Sequence, residues 1–345
     1  MEALLRLARH HGGSFTARAA NDLGYRSREL GELVEADLLV RLRRGVYAIA
    51  AEHRTLSVRD AHVLATRDAV ERLGAGHAAS HDSALLVHRL ANDGLDLPEG
   101  RLDLDVSHVS RVGGTTSRRR NRIQTHRDAL EAGDVVDRDG LATVRADLAV
   151  AQVMTCRPLA VGAVVASSWL ASCRSDARRR GMVEAFDEPA HKAELTAVLD
   201  GLGRRPGGRT ARSALEIADA RCDSVGEVLV LLTCWLHAVP RPETQYWIAL
   251  PDDRWAEVDF CWPDVRLVLE FDGKGKDEDE RAPDGRIVRS GKQKLWAEKR
   301  REDDIRGLRY HVVRITWADL LPHNRERTAA RIMREREVAA RLYRR

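Results

Sequence analysis

Trp255-Ala-Glu-Val-Asp259-Phe260 and Leu267-Val-Leu-Glu270-Phe-Asp272-Gly-Lys274-Gly-Lys276 are the two runs on which the reading of this 345-residue chain turns. Both are rich in Val, Leu and Phe, and the turn signal Trp262-Pro263-Asp264 divides them, which is the pattern of adjacent buried strands. Each run delivers a carboxylate where its apolar part ends. Side chains alternate along a strand, so Glu270 and Asp272 point to one side of the sheet, where Asp259 from the neighbouring strand can join them. Clustered carboxylates repel and cost desolvation energy, and a hard divalent cation, Mg²⁺ or Mn²⁺, usually holds such a group together. With Lys274 and Lys276 just downstream, the implied chemistry is phosphodiester hydrolysis. The metal would activate water while the ammonium groups hold the scissile strand.

Two later segments extend the pattern: Glu298-Lys-Arg-Arg301-Glu302, and Tyr310-His-Val-Val-Arg-Ile-Thr-Trp317. In this order, over residues 223–322, the chain resembles the PD-(D/E)XK nuclease superfamily, most closely the branch related to the very-short-patch-repair endonucleases. The resemblance implies a restriction-endonuclease-like mixed sheet flanked by helices and a Mg²⁺- or Mn²⁺-dependent DNA endonuclease. It implies Asp259 and Glu270 as metal ligands, Asp272 assisting, and Lys274 or Lys276 on the phosphate. Glu298, Arg301 and Glu302 would support the site or bind phosphate, and Glu227, on an apolar helix over Ser224 to Leu236, would face the metal. Two departures stand out: Asp272 holds the usual Lys position, and Lys274 and Lys276 replace the His often found after Asp-Gly. Ser224-Val-Gly-Glu227 also fits a capping box, which by itself explains Glu227.

At this length two or three domains are expected, and a hydrophobic fraction of 43% supports real cores. The 57 basic and 53 acidic residues leave a net charge of +4, too balanced for a polycationic coat, so nucleic-acid affinity must come from local patches. The five cysteines are scattered without a C-x-x-C pair, which argues for reduced thiols and against a disulfide framework or zinc ribbon. Met1 to Arg6 lacks the design of a signal peptide, and Leu159 to Ala171 is too short to cross a bilayer. The expectation is a soluble cytoplasmic protein with no membrane partner.

Residues 1–50 read as a compact unit. Leu4, Leu5, Leu7 and Ala8 form one amphipathic helix, Ser14 and Thr16 offer caps for a second ending at Gly24, and Ser27 caps a third bearing Leu30, Leu33 and Val34. A hairpin over Leu38 to Ile49 completes a winged helix-turn-helix. Leu42-Arg43-Arg44-Gly45-Val46-Tyr47 resembles the N-terminal signature of the AbiEi family of type IV antitoxins, which implies DNA and a toxin or defence-system partner. Arg26, Ser27 and Arg28 would begin the recognition helix, and Arg41, Arg43 and Arg44 would grip phosphates.

Residues 55–200 read as a mixed α/β scaffold, with helices over Arg59 to Leu73, Ser83 to Leu90 and Ala146 to Met154, and a half-buried strand over Leu102 to Ser107. Asp103 and Asp105 would share a face of that strand, but a nucleotidyltransferase places its Gly-Ser turn before such a pair, whereas Gly113-Gly114 follows it. Ser80-His81-Asp82-Ser83 has the letters of a catalytic triad, yet triad members meet from distant positions, so helix capping is the better reading. Residues 201–222 read as a linker and 323–345 as a basic helical tail, with Ile332, Val338 and Leu342 as its sparse apolar contacts. The whole is a multidomain α+β protein. The leading expectation is a metal-dependent endonuclease guided by a winged helix. The alternative is an antitoxin-like transcriptional regulator carrying an inactive nuclease-like domain.

Overall fold

The structure, a computed structural model, describes residues 1–90, 96–114, 116–251, 253–273, 280–281, 287–289 and 291–343. It divides into two compact units, Met1–Val165 with Ala193–Ala211, and Ala166–Lys192 with Arg212–Arg345. Both mix helices with sheet, as the sequence leads one to expect.

The first unit opens with α1 (Glu2–His10), β1 (Ser14–Thr16), α2 (Ala17–Asp22), α3 (Ser27–Glu35), β2 (Leu39–Arg43) and β3 (Val46–Ile49). The strands form an antiparallel sheet in the order β1-β3-β2. Leu4, Ala8, Phe15, Ala20, Leu30, Leu39, Tyr47 and Ile49 make its core. Helix α2 starts where expected, with the Thr16 hydroxyl accepting the Ala19 N–H at 3.1 Å. Helix α3 starts differently. Its N-cap is Arg26, whose own N–H is taken by the Glu29 carboxylate at 2.6 Å, and Ser27 is the first helical residue. Strand β1 escaped the sequence reading because three residues carry no usable periodicity.

After α4 (Ala50–His53) come α5 (Val58–Leu73), β4 (His77–Ala79), α6 (His81–Val87), the short pair β5 (Asp96–Leu97) and β6 (Gly100–Arg101), β7 (Ser107–Val112), β8 (Arg118–Arg120), β9 (Ile123–Leu130), β10 (Val135–Arg138), β11 (Leu141–Val144) and α7 (Ala146–Cys156). Six strands join as β10-β11-β4-β7-β9-β8, parallel at β11/β4 and β7/β9 and antiparallel elsewhere. Ala69 and Val70 of α5 pack on Ala79, Val109, Ile123 and Leu141 of this sheet. The strand expected over Leu102 to Ser107 is instead a turn, and β7 begins at Ser107. Its polar backbone is satisfied by side chains rather than a ladder: the Asp103 N–H donates to Asp82 and the Leu104 carbonyl meets His62.

Helices α8 (Leu159–Arg179), α9 (Glu188–Gly201) and α10 (Gly208–Ile217) follow, so the stretch read as a linker, 201–222, holds a helix.

The second unit then runs α11 (Val225–Leu236), β12 (Glu243–Ala249), β13 (Trp255–Trp262), β14 (Leu267–Asp272), the pair β15 (Glu280–Arg281) and β16 (Ile287–Arg289), α12 (Gly291–Gly307), β17 (His311–Thr316) and α13 (Arg325–Tyr343). Its main sheet has the order β12-β13-β14-β17, with β17 parallel to β14 and the other pairs antiparallel. A parallel partner needs a crossover, and α12 lies in it. The helix-strand order α11-β12-β13-β14-α12-β17 is the flanked mixed sheet expected for this segment. A Cβ on Gly226 would lie 2.1 Å from the Phe271 ring, so only glycine allows α11 to sit this close to β14. The tail is the basic helix expected, and of its three expected apolar contacts only Ile332 is buried. Ala329, Ile332 and Ala339 of α13 are buried and the Arg336 guanidinium lies 5.8 Å over the Trp262 ring, while Val338 and Leu342 are exposed.

All five cysteines are free thiols, and among the described residues no helix is long and apolar enough to cross a membrane.

Candidate functional site

The winged helix exposes arginines on α3 and on its hairpin. Arg26, Ser27 and Arg28 are exposed at the start of α3, where Arg28 pairs with Glu32 at 2.9 Å. On the hairpin, Arg41 is exposed with its guanidinium 5.6 Å over the Tyr47 ring, and Arg44 is exposed at the tip.

Arg43 does not join them. It is buried, 2.8 Å from Asp68 of α5, and its guanidinium also donates to the Ala65 carbonyl. Strict alternation would put Arg41 and Arg43 on one face, but a register irregularity between them turns Arg43 inward. Burial lowers the Arg43 pKa and raises that of Asp68; each partner's charge opposes the shift without cancelling it. The expected phosphate contact is therefore a structural ion pair.

In the second unit, β13 and β14 place the predicted carboxylates on adjacent strands. Asp259 accepts the Phe271 N–H at 2.8 Å, so it ties its strand to the next. Glu270 is only 6% exposed and meets the Arg301 guanidinium of α12 at 3.0 Å. Arg314, the β17 partner of Glu270, links Glu298 at 3.2 Å, Glu302 at 2.9 Å and Asp272 at 3.8 Å. Burial works against ionising Glu302, but hydrogen bonds from Arg306 and Arg314 outweigh it and hold its pKa low. Lys274 and Lys276 lie outside the described residues.

Glu227 serves its helix. The Ser224 hydroxyl accepts the Glu227 N–H at 3.2 Å and donates to its carboxylate at 2.6 Å. The carboxylate also accepts the Asp223 N–H at 2.9 Å, one residue before the expected Ser224, and the Gln245 amide at 3.1 Å. Burial raises the Glu227 pKa; the Ser224 and Asp223 bonds oppose this, and the nearby charge of Asp259 adds to it.

This donor set tests the expected Mg²⁺ or Mn²⁺. Arg301 and Arg314 already set positive charge against Glu270 and Asp272, and Asp259 and Glu227 accept backbone N–H groups. Among the described residues no group of three or more His, Cys, Asp or Glu is arranged to hold a metal ion. As arranged, the described residues do not fit a resident cation.

A buried polar cluster in the first unit was not read from the sequence. His108 Nδ1 and His126 Nε2 are 2.8 Å apart, His126 stacks on His81 at 3.6 Å, and His81 Nε2 is 3.3 Å from Asp128. Gln152 and Arg205 donate to Asp128, and Arg157 pairs with Asp82. Burial lowers the pKa of His81, His108 and His126, the last to about 4. The Ser80–Ser83 quartet belongs to this cluster rather than to helix capping: Ser80 bonds Ser110 at 2.9 Å, and the Ser83 hydroxyl accepts the His108 N–H at 2.8 Å. The letters of the quartet were the available signal.

The profile of the family described as "Transcriptional regulator, AbiEi antitoxin" matches residues 2–50. Two proteins of Mycobacterium tuberculosis described as uncharacterized, from strains CDC 1551 / Oshkosh and ATCC 25618 / H37Rv, are each 41% identical over 76 residues. The match spans 22% of this chain and 28% of the length of each relative.

Proposed function

We propose that the chain is a DNA-binding regulator of the antitoxin type. In it α3 enters duplex DNA, Arg41 and Arg44 of the hairpin contact phosphates, and the nuclease-like second unit serves a binding role without hydrolysis. One observation carries the reading: a domain matching the AbiEi antitoxin family exposes Arg26, Arg28, Arg41 and Arg44. The guanidinium compensation of Glu270 and Asp272 supports the non-hydrolytic role. The antitoxin likeness further implies a toxin or defence-system partner. The test is duplex binding by the full chain as a function of salt. Replacing Arg28, Arg41 and Arg44 with Ala should flatten the log–log slope by about 0.9 for each phosphate no longer neutralised. An unchanged slope would refute the reading.

A second reading, Mg²⁺- or Mn²⁺-dependent DNA cleavage, draws on the placement of Asp259 and Glu270 on adjoining strands, Asp259 accepting the N–H of the residue after Glu270. It requires Arg301 to give way to a cation. Nicking of supercoiled plasmid that needs divalent metal and is lost in Asp259→Ala and Glu270→Ala would favour it over the regulator.

A further inference from the structure

The wing of the N-terminal domain is one wall of a second cationic surface. A cleft of about 900 Å³ in the first unit is lined by Arg44 and Gly45 of the hairpin tip, Arg72 and Leu73 at the end of α5, and Arg118, Arg120, Asn121, Ile123 and Thr125 of the β8–β9 hairpin. Among the described residues the lining holds four arginines and no acidic residue.

Strand alternation sorts the charges of β8. Arg118 and Arg120 face the cleft, while Arg119, between them, turns away to pair with Asp103 at 3.4 Å. All three are exposed. The walls are braced by backbone contacts. Asn121 and Arg122 both take positive φ, +52° and +57°, and make the tight turn between β8 and β9. From that turn Asn121 Oδ1 accepts the Arg44 N–H at 3.0 Å and Arg122 donates to the Leu42 carbonyl at 3.3 Å. The buried Arg43–Asp68 pair ties the same hairpin to α5 just before its tip.

Four like charges round a concave, partly apolar wall repel one another and focus a positive potential that draws in polyanions. Guanidinium forks suit phosphate oxygens in particular. The volume exceeds what a single phosphate needs and suits a run of backbone. Because Arg44 belongs both to the wing and to the cleft, a nucleic acid held by the wing runs on into it.

We infer that this cleft is a second phosphate-backbone site for duplex DNA, extending the footprint of the winged helix onto the β8–β9 hairpin. The inference rests on the DNA-binding reading above, and the experiment separates the two. Full-length protein is titrated onto a mixed-sequence duplex of about three helical turns (~30 base pairs) over a range of salt, with melting curves as the check on folding. Arg118→Ala/Arg120→Ala should flatten the log–log slope by about 1.8. Arg118→Lys/Arg120→Lys should keep the wild-type slope, and Arg119→Ala, on the other side of the strand, should leave it unchanged. A wild-type slope in the Ala double variant, with binding still weakened by Arg28→Ala, would overturn the cleft and spare the winged helix. Equal flattening by Arg119→Ala would also overturn it, because the effect would then be general charge. Absence of salt-dependent duplex binding by the wild type would overturn both.

Discussion

Replacing Arg43 with Met tests the assignment of this residue to structure rather than DNA. The Arg43 side chain is 1% exposed and that of Asp68 10%, with nitrogen and oxygen 2.8 Å apart. At an effective dielectric near 20 that separation gives about 6 kcal/mol of attraction, against a desolvation penalty of several kcal/mol for each ion. The pair is thus near break-even, whereas a lone Asp68 is not. Arg43→Met should cost about 3–4 kcal/mol. Asp68 can escape by taking up a proton, and the distance from pH 7 to the ordinary Asp value of 3.8 caps the loss near 4 kcal/mol. For a unit of this size the melting temperature should fall by about 10 °C. The sign with pH follows: without Arg43 the folded state holds the Asp68 proton more tightly than the unfolded chain does. The penalty therefore shrinks as pH falls from 7 towards 4. Arg43→Met/Asp68→Leu, which removes both charges, should melt close to wild type. The assays are thermal unfolding of all three proteins at pH 7 and pH 5, and the salt slope of duplex binding. An Arg43→Met protein that melts with the wild type yet binds DNA with a flatter slope would refute the reasoning.

Glu227→Gln should keep its melting temperature, since an amide also accepts the Asp223 N–H, while Glu227→Ala should lose about 1 kcal/mol with the cap; equal stability of the two in urea unfolding would contradict the capping role. His81, His108 and His126 have folded pKa values depressed by burial, so they stay neutral when the unfolded chain takes up protons below about 6.5. Stability they contribute above that value should be lost as pH falls below about 6.5, in the case of His126 down to about 4, and replacing His126 with Gln should reduce this loss in a pH series of unfolding midpoints. In Arg301→Ala, Glu270 loses the guanidinium at 3.0 Å, and millimolar Mg²⁺ should raise the melting temperature more than in the wild type. An identical Mg²⁺ response would show that the face does not accept a cation even with Arg301 removed.

Much of the fold was legible because its signals are local. The cap Thr16, the apolar face of α3 and the apolar run of β13 each report a neighbourhood of a few residues. The turn over residues 102–106 was not legible, because a strand-like alternation carries no mark that its backbone partners are the distant side chains of Asp82 and His62. In α13 the helix was legible but not its contacts: Ile332 is buried while Val338 and Leu342 are exposed, because which apolar residues are covered depends on the elements the helix meets.

The same division runs through the candidate sites. The sequence by itself determined that an arginine-bearing winged helix stands at the N-terminus, and that Asp259, Glu270 and Asp272 lie on neighbouring strands. Side-chain type and strand period suffice for both. Only the tertiary structure decided how each charge is used. A register irregularity turned Arg43 inward onto Asp68, and the crossover helix set Arg301 against Glu270. The β8–β9 turn brought Arg118 and Arg120 beside Arg44. The energy of a charge depends on its burial and on the opposite charge nearest to it, and both are fixed by residues far away in the chain.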